Sequence, residues 1–275
     1  MDDDGRGLRA FRVAYDGRPF RGFQRQPDVP TVEERVFDAL RDLDVLGPTA
    51  DKPPTYAAAG RTDAGVSAVA QTMAFESPEW LTPAALNGEL PASIRAWASA
   101  DAPAGFHATH DATSRTYTYH LHAPDADIDR AREALSELSG EHDFHNLTPD
   151  DNGTVRTLDP AIESDGEFLV IELRAGGFSR QLVRRVVALV EEVAADTAPL
   201  SKIGRVLSPA PLSGPEGIGP ASAAALVLTD VSYPDLDFRI DTEAAASARE
   251  VFEQRRVAAV VDGRVAGSVR NGIGE

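Results

Sequence analysis

The order of strand and helix signals runs twice through the chain, and this repetition constrains the fold more than any other feature of the sequence. In the first half, short apolar or alternating segments predict strands, and capping signals at Thr31 and Thr82 predict two helices between them. The predicted strands cover residues 8–14, 56–59, 69–75 and 94–99. This half therefore has a β-α-β-β-α-β character.

The second half repeats strands and helices in a similar order. Apolar alternation predicts strands over residues 113–121, 168–174 and 223–231. Helical spacing of apolar residues predicts helices over residues 127–138 and 178–193, and the second of these is the most amphipathic segment of the chain.

Two similar halves predict an α+β fold, with antiparallel or mixed β-sheets flanked by helices and a cleft between the halves. We expect an N-terminal half over residues 1–103 and a C-terminal half over residues 104–275. The second half ends in an appendix, predicted as a helix over residues 242–256 and a β-hairpin over residues 257–269 around an Asp-Gly pair.

The charge balance is strongly acidic, and nearly every cation is an arginine. The chain has 44 acidic residues against 27 basic ones, a formal net charge of −17, and only Lys52 and Lys202 are lysines. Dispersed acidic residues of this kind indicate a solvated surface suited to high intracellular salt, as in a halophile. At molar salt the Debye length is about 3 Å, so long-range repulsion is screened and nucleic-acid binding is not excluded.

Cysteine is absent from the sequence, which excludes disulfide bonds, cysteine nucleophiles and thiolate metal sites. The N-terminus lacks a basic and then apolar leader pattern, and no run of 18 apolar residues occurs. We therefore expect a soluble, cytoplasmic protein with no membrane contact.

One acid stands between two glycines in the segment 60–65, which lies between two predicted strands. Asp63 in this loop can be held at a fixed angle while the backbone approaches a ligand closely, and Arg61 lies two residues away. A glycine-rich turn with a solvated aspartate has the same spacing. Spacing alone leaves both interpretations open.

Six segments in a fixed order resemble the motifs of one enzyme family. They are residues 15–27, 60–71, 86–91, 114–119, 140–144 and 177–184. With these motifs the chain resembles the TruA-type tRNA pseudouridine synthases over about residues 8–234. The family typically has Trp, His, Arg, Asn and Gly at five positions where this chain has Phe23, Ser67, Thr109, Arg185 and Ala188.

The resemblance implies an isomerase that needs no cofactor and no metal, and that converts uridine to pseudouridine at positions 38–40 in the anticodon arm of tRNA. It implies that Asp63 is the catalytic residue, as nucleophile, with Arg61, Tyr117 and Arg184 as further catalytic candidates. It also implies a homodimer in which a tRNA contacts both subunits. Candidates for contact with the substrate are Tyr117, Arg21, Arg25, Arg115 and Arg180.

The chemistry explains why such a site needs these residue types. A carboxylate can attack C1′ of the ribose or promote glycal formation through C2′, and the sequence leaves both routes open. Burial alone favours a neutral carboxyl group, so we expect a desolvated cation beside Asp63, and Arg184 is the partner that the resemblance implies. A target base in an RNA stem or loop must leave its stack, so Tyr117 can stack on the flipped uracil and Arg61 can act as a wedge.

Three other functions compete with this interpretation. All six histidines lie between His107 and His145, and this grouping suggests a zinc site. No helical His-Glu-x-x-His pattern accompanies them. The strand end at Asp16 resembles that of aspartate-nucleophile phosphatases, which need a second aspartate where Arg18 stands. The third competing function is that of a non-catalytic RNA-binding module on the same fold. The presence of all four catalytic candidates named above argues against it.

Overall fold

A ten-stranded sheet organises the residues that the structure, a computed structural model, describes, namely 5–212, 214 and 217–274. The strands are β1 (Gly7–Tyr15), β2 (Ala57–Ala58), β3 (Ser67–Ser77), β4 (Ile94–Asp101), β5 (Ser114–His122), β6 (Gly140–Asp143), β7 (Val155–Asp165), β8 (Phe168–Ala175), β9 (Leu226–Ser232) and β10 (Arg239–Ile240). The α-helices are α1 (Val32–Asp42), α2 (Pro83–Glu89), α3 (Ile128–Leu138), α4 (Leu182–Ala194), α5 (Ser201–Val206) and α6 (Thr242–Gly272).

The sheet is mixed and continuous across both halves of the chain. Its strand order is β10-β4-β1-β3-β9-β5-β8-β7-β6, with β2 paired to β3. The pairs within each half are antiparallel, and the halves join where β3 and β9 run parallel, with Ser67 opposite Val227 and Ala68 opposite Leu228. The predicted α+β class is confirmed, whereas the division of the chain between residues 103 and 104 stays a prediction.

Each half has its own hydrophobic cluster, built by the helices that the sequence predicts. Helix α1 begins where the Thr31 side chain accepts a hydrogen bond from the backbone of Glu34, and it buries Val36 and Leu40. Helix α4 buries an apolar face in the other cluster, as its periodicity predicts. It begins at Leu182 rather than at residue 178, because Gln181 has a left-handed φ of 61° that cannot continue a helix.

The predicted β-hairpin over residues 257–269 is wrong, because helix α6 runs through this segment without a break. The Asp-Gly pair that suggests a turn lies between helix-forming stretches, and propagation of an existing helix adds one hydrogen bond per residue. Asp241 starts α6 by accepting a hydrogen bond from the backbone of Ala244 (3.0 Å). The predicted strand over residues 223–231 also starts later, at Leu226, after a 3₁₀ turn.

The start of α6 is attached to the N-terminal half. Strand β10 pairs with β4, and the backbone of Asp241 donates to the Trp97 oxygen (3.0 Å). Farther along α6, Arg255 forms an ion pair with the buried Asp16 (2.6 Å), which Arg18 also contacts. Across residues 5–212, 214 and 217–274, no helix is both long and apolar enough to cross a membrane.

Candidate active site

Asp63 lies in the loop between β2 and β3, and a second loop at residues 16–23 supports it from behind. The backbone of Phe23 donates to the oxygen of Thr62 (3.1 Å), and Gly65 donates to Phe20 (3.3 Å). This approach is so close that a Cβ atom on Gly17 would lie 1.9 Å from the oxygen of Val66. Only a glycine fits there, so the two loops pack directly against each other behind Asp63.

Two polar side chains hold the Asp63 loop (residues 60–65) from beneath. The Tyr15 hydroxyl and the Thr62 Oγ1 atom, both buried, share a hydrogen bond of 2.7 Å. Gln71 donates from Nε2 to the oxygen of Gly60 (2.8 Å). Burial raises the pKa of Tyr15, so its hydroxyl stays protonated. Sequence reasoning missed both residues, although a polar tyrosine at the end of an apolar strand is a signal that a buried partner exists.

The Asp63 loop forms one wall of a cleft of about 1080 Å³, and the start of α4 forms another. Arg184 reaches across from α4, with Nη1 3.6 Å from Oδ2 of Asp63. The Asp63 side chain is 34% exposed and that of Arg184 is 16% exposed, so a carboxylate open to a ligand has a largely desolvated cation beside it. Arg184 is fixed in place because its Nε donates to the oxygen of Ala221 (2.6 Å).

Tyr117 projects into the same cleft from β5. Its ring meets the ring of Phe178 edge to face, with centroids 5.2 Å apart. Burial, reinforced by the negative charge of Asp63, raises the pKa of Tyr117 to about 12. The phenol is therefore neutral at physiological pH and can donate a hydrogen bond or stack on a planar ligand.

The remaining arginine candidates separate into two groups. The first group lines the cleft and consists of Arg61, Arg25 and Arg180. Arg61 is exposed to solvent. Arg25 forms an ion pair with Asp51, and Arg180 forms one with Asp150 (3.3 Å). Arg21 is exposed outside the cleft lining. Arg115 donates to four main-chain oxygens, of which Ala112 is the most distant at 3.5 Å. Its three closest acceptors are Ala59 (2.8 Å), Thr109 (2.6 Å) and Gly176 (2.6 Å). Arg115 thus ties three loops at the rim together.

The histidines do not assemble a metal-binding cluster within the described chain. The rings of His107 and His110 lie 4.2 Å apart, and the backbone of His107 donates to Asp111 (2.7 Å). Among residues 5–212, 214 and 217–274, no group of three or more histidine, aspartate or glutamate side chains is arranged to hold a metal ion.

Known proteins resemble this chain along most of its length. A family model described as tRNA pseudouridine synthase matches residues 134–234. A tRNA pseudouridine synthase A from Natronomonas pharaonis is 59% identical over 264 residues, covering 95% of this chain and 98% of the relative. A protein of the same description from Haloarcula marismortui is 56% identical over 276 residues, covering 97% and 100%. In the solved archaeal box H/ACA sRNP Nop10-Cbf5 complex, a chain 18% identical covers 66% of this chain and 43% of its own length, with a TM-score of 0.35.

The relatives, together with the matched model, place the chain in the class of pseudouridine synthases. At these identities and coverages, the chain belongs to the tRNA pseudouridine synthase A family. The relationship that the six sequence motifs indicate is therefore confirmed.

Proposed function

We propose that this protein isomerises uridine to pseudouridine in tRNA, at positions 38–40 of the anticodon arm, with Asp63 as the catalytic carboxylate. Family membership supports the reaction and the substrate class. The observation that carries the site assignment is the pairing of Asp63 with Arg184, 3.6 Å apart, in a cleft that also contains Tyr117. The anticodon position rests on the resemblance to the TruA-type enzymes.

The reaction breaks the bond from N1 of uracil to C1′ of the ribose and forms a bond from C5 to C1′. The C5 proton leaves and N1 gains a proton, so the product is an isomer of the substrate. Asp63 either bonds to C1′ or assists removal of the C2′ proton, and in both routes it acts as an anion. The nearby guanidinium of Arg184 stabilises that anion before the substrate arrives.

The target uridine leaves its stack to reach Asp63. In the proposed complex the neutral phenol of Tyr117 contacts the flipped base, and Phe178 holds the tyrosine ring. Arg61 is exposed at the mouth of the cleft, where it can fill the gap that the base leaves. Arg25 and Arg180 line the same cleft and are suited to phosphate contacts if their present carboxylate partners give way.

We also propose a cytoplasmic homodimer adapted to high salt. The dimer rests on the family resemblance, and the salt adaptation rests on the net charge of −17 and on relatives named from Natronomonas and Haloarcula. Short-range arginine contacts then replace long-range attraction in tRNA binding, because salt screens distant charges.

Release of tritium from tRNA that carries 5-tritiated uridine tests the proposal. The wild-type protein should release tritium from tRNA with uridine at positions 38–40 and none when cytidine replaces these uridines. A non-catalytic RNA-binding module would bind both tRNAs and release nothing, which would contradict the proposed activity.

Removal of the Tyr15 hydroxyl should loosen the Asp63 loop. In Tyr15→Phe the buried hydroxyl of Thr62 loses its partner, so the loop holds Asp63 less firmly in its reactive position. We expect kcat to fall about tenfold, which is about 1.4 kcal/mol of transition-state stabilisation, while KM stays near wild type. Steady-state tritium release measures both constants. Tyr233→Phe is the matched control, because the buried Tyr233 hydroxyl donates to the oxygen of Ala108 and does not line the cleft. An equal loss of kcat in both variants would contradict the positioning role.

Arg61→Ala should weaken substrate positioning while leaving the fold intact. Arg61 is exposed, so we expect an unchanged melting temperature, and loss of one charged RNA contact should raise KM about tenfold. Thermal unfolding and steady-state kinetics check the two parts. A KM equal to that of the wild type would exclude Arg61 from the RNA-contacting surface.

A further inference from the structure

A second cavity, which we call the rear pocket, lies on the face of the sheet opposite to the Asp63 cleft. It has a volume of about 590 Å³ and is bounded by β1, β3, β4, β9 and α6. Within β9, Leu226 lines the cleft and the next residue, Val227, lines the rear pocket. Successive side chains of a strand point to opposite faces of a sheet, so the two cavities lie back to back. Among the described residues, none lines both cavities.

The floor of the rear pocket is apolar and carries an aromatic ring that lies along the sheet. Trp97 belongs to β4, and its Nε1 atom donates to the oxygen of Val69 on β3 (2.8 Å). Strand β1 lies between β4 and β3, so the indole crosses β1, whose Ala14 also lines the pocket. Helix α6 forms the opposite wall with Ala248 and Phe252, which lie four residues apart on one side of the helix. Two flat rings and small apolar side chains therefore surround the space.

The rim of the rear pocket is positively charged, although the whole chain has a net charge of −17. Its charged lining residues are one carboxylate and four arginines, namely Asp16, Arg18, Arg249, Arg255 and Arg256. Asp16 accepts hydrogen bonds from Arg18 and Arg255, and Arg256 pairs with an exposed glutamate of α6. The exposed guanidinium of Arg249 makes no hydrogen bond or ion pair with any residue that the structure describes. Arg249 is therefore free to bind an anion from solution.

We propose that the rear pocket binds a small aromatic organic acid, with its flat apolar body against Trp97 and Phe252 and its carboxylate on Arg249. The volume lies within the range of small-molecule sites, which is about 300–1,000 Å³, and such sites combine an apolar lining with a few polar groups. A nucleotide fits less well, because the polar edge of its base would lie unpaired against the apolar floor. The positive rim complements the charge of the acid.

The fluorescence of Trp97 tests this binding without tRNA. The chain has two tryptophans, and Trp80→Phe removes the other one, which is exposed beyond the far end of β3. Anilinonaphthalene sulfonate, an aromatic anion that emits in apolar surroundings, should bind one molecule per chain at high salt and quench the emission of Trp97. Phenylpropionate should displace this probe, whereas uncharged phenylpropionamide should do so about fivefold less well.

Two pairs of variants locate the bound probe. Ala259→Trp fills the rear pocket from its rim and should abolish binding, whereas Ala258→Trp adds the same side chain at an exposed position outside the lining and should bind like the wild type. Arg249→Gln should raise the Kd of the probe about fivefold. Arg264→Gln removes an exposed arginine of α6 outside the lining and should leave the Kd unchanged.

Three results would overturn the proposal. The first is a probe that binds without quenching Trp97, and the second is unchanged binding in Ala259→Trp, since either result places the probe elsewhere. The third is binding that disappears as the protein concentration rises, because a second copy of the chain would then cover the rear pocket. Each of these results leaves the proposed isomerase activity untouched, since the Asp63 cleft takes no part in the measurement.

Discussion

Asp63→Asn is expected to lower kcat by at least about 1,000-fold while tRNA binding stays within about threefold of wild type. Asparagine keeps the size of the side chain but can neither attack C1′ nor accept a proton from C2′. The loop should keep its conformation, because its supporting hydrogen bonds come from Tyr15, Gln71 and backbone atoms. Single-turnover tritium release measures the chemical step, and filter binding measures the affinity for tRNA.

Asp150→Asn is the matched control for this experiment. Asp150 lines the same cleft, but its carboxylate binds the backbone and side chain of Arg180 and does not face Arg184. We expect its kcat to stay within about threefold of wild type. A near-normal rate in Asp63→Asn would remove Asp63 from the mechanism, whichever route the sugar follows.

Arg184→Met is expected to lower kcat about 100-fold, since the anion at Asp63 then loses the cation that stabilises it. Methionine keeps most of the apolar stem, so the buried face of α4 should remain packed. Arg184→Lys keeps a positive charge and should recover part of the lost rate. Single-turnover kinetics should give the fastest rate for the wild type, a slower rate for Arg184→Lys and the slowest for Arg184→Met.

Arg185→Met is the control for the loss of a guanidinium from the same helix. Arg185 bonds to the Gln181 side chain and to the oxygen of Ile218, and no ion pair joins it to Asp63 in the described chain. Equal rate losses in the Arg184 and Arg185 variants would indicate a general effect on α4 rather than a role for Arg184 beside the carboxylate.

Periodicity and ordered motifs predict the elements that carry the site, because local patterns determine them. The apolar spacing of α4 and the capping signal of α1 involve residues within a few turns of one another. The predicted hairpin at residues 257–269 is wrong because its local turn signal competes with a helix that already begins at Asp241. No local pattern indicates the left-handed φ of Gln181 that delays α4.

The contents of the cleft depend on contacts between distant residues, so the sequence predicts them less completely. The resemblance names Asp63, Tyr117 and Arg184, which line one cleft in the structure. It does not distinguish Arg61, exposed at the mouth, from Arg115, whose donors bind Ala59, Thr109 and Gly176. These acceptors come from separate segments, and only the folded chain brings them together.

The central position of β9 has a consequence for how the protein is made. Strand β9 is inserted between β3 and β5, although about 150 residues separate it from β3 along the chain. During synthesis the ribosome must release the chain through residue 232 before β9 can enter this gap. Until then, β5 and the Ser67–Ala68 end of β3 lack the strand that pairs with them. The nascent chain also lacks Leu226, which lines the cleft. Translation must therefore pass residue 232 before the enzyme can become active.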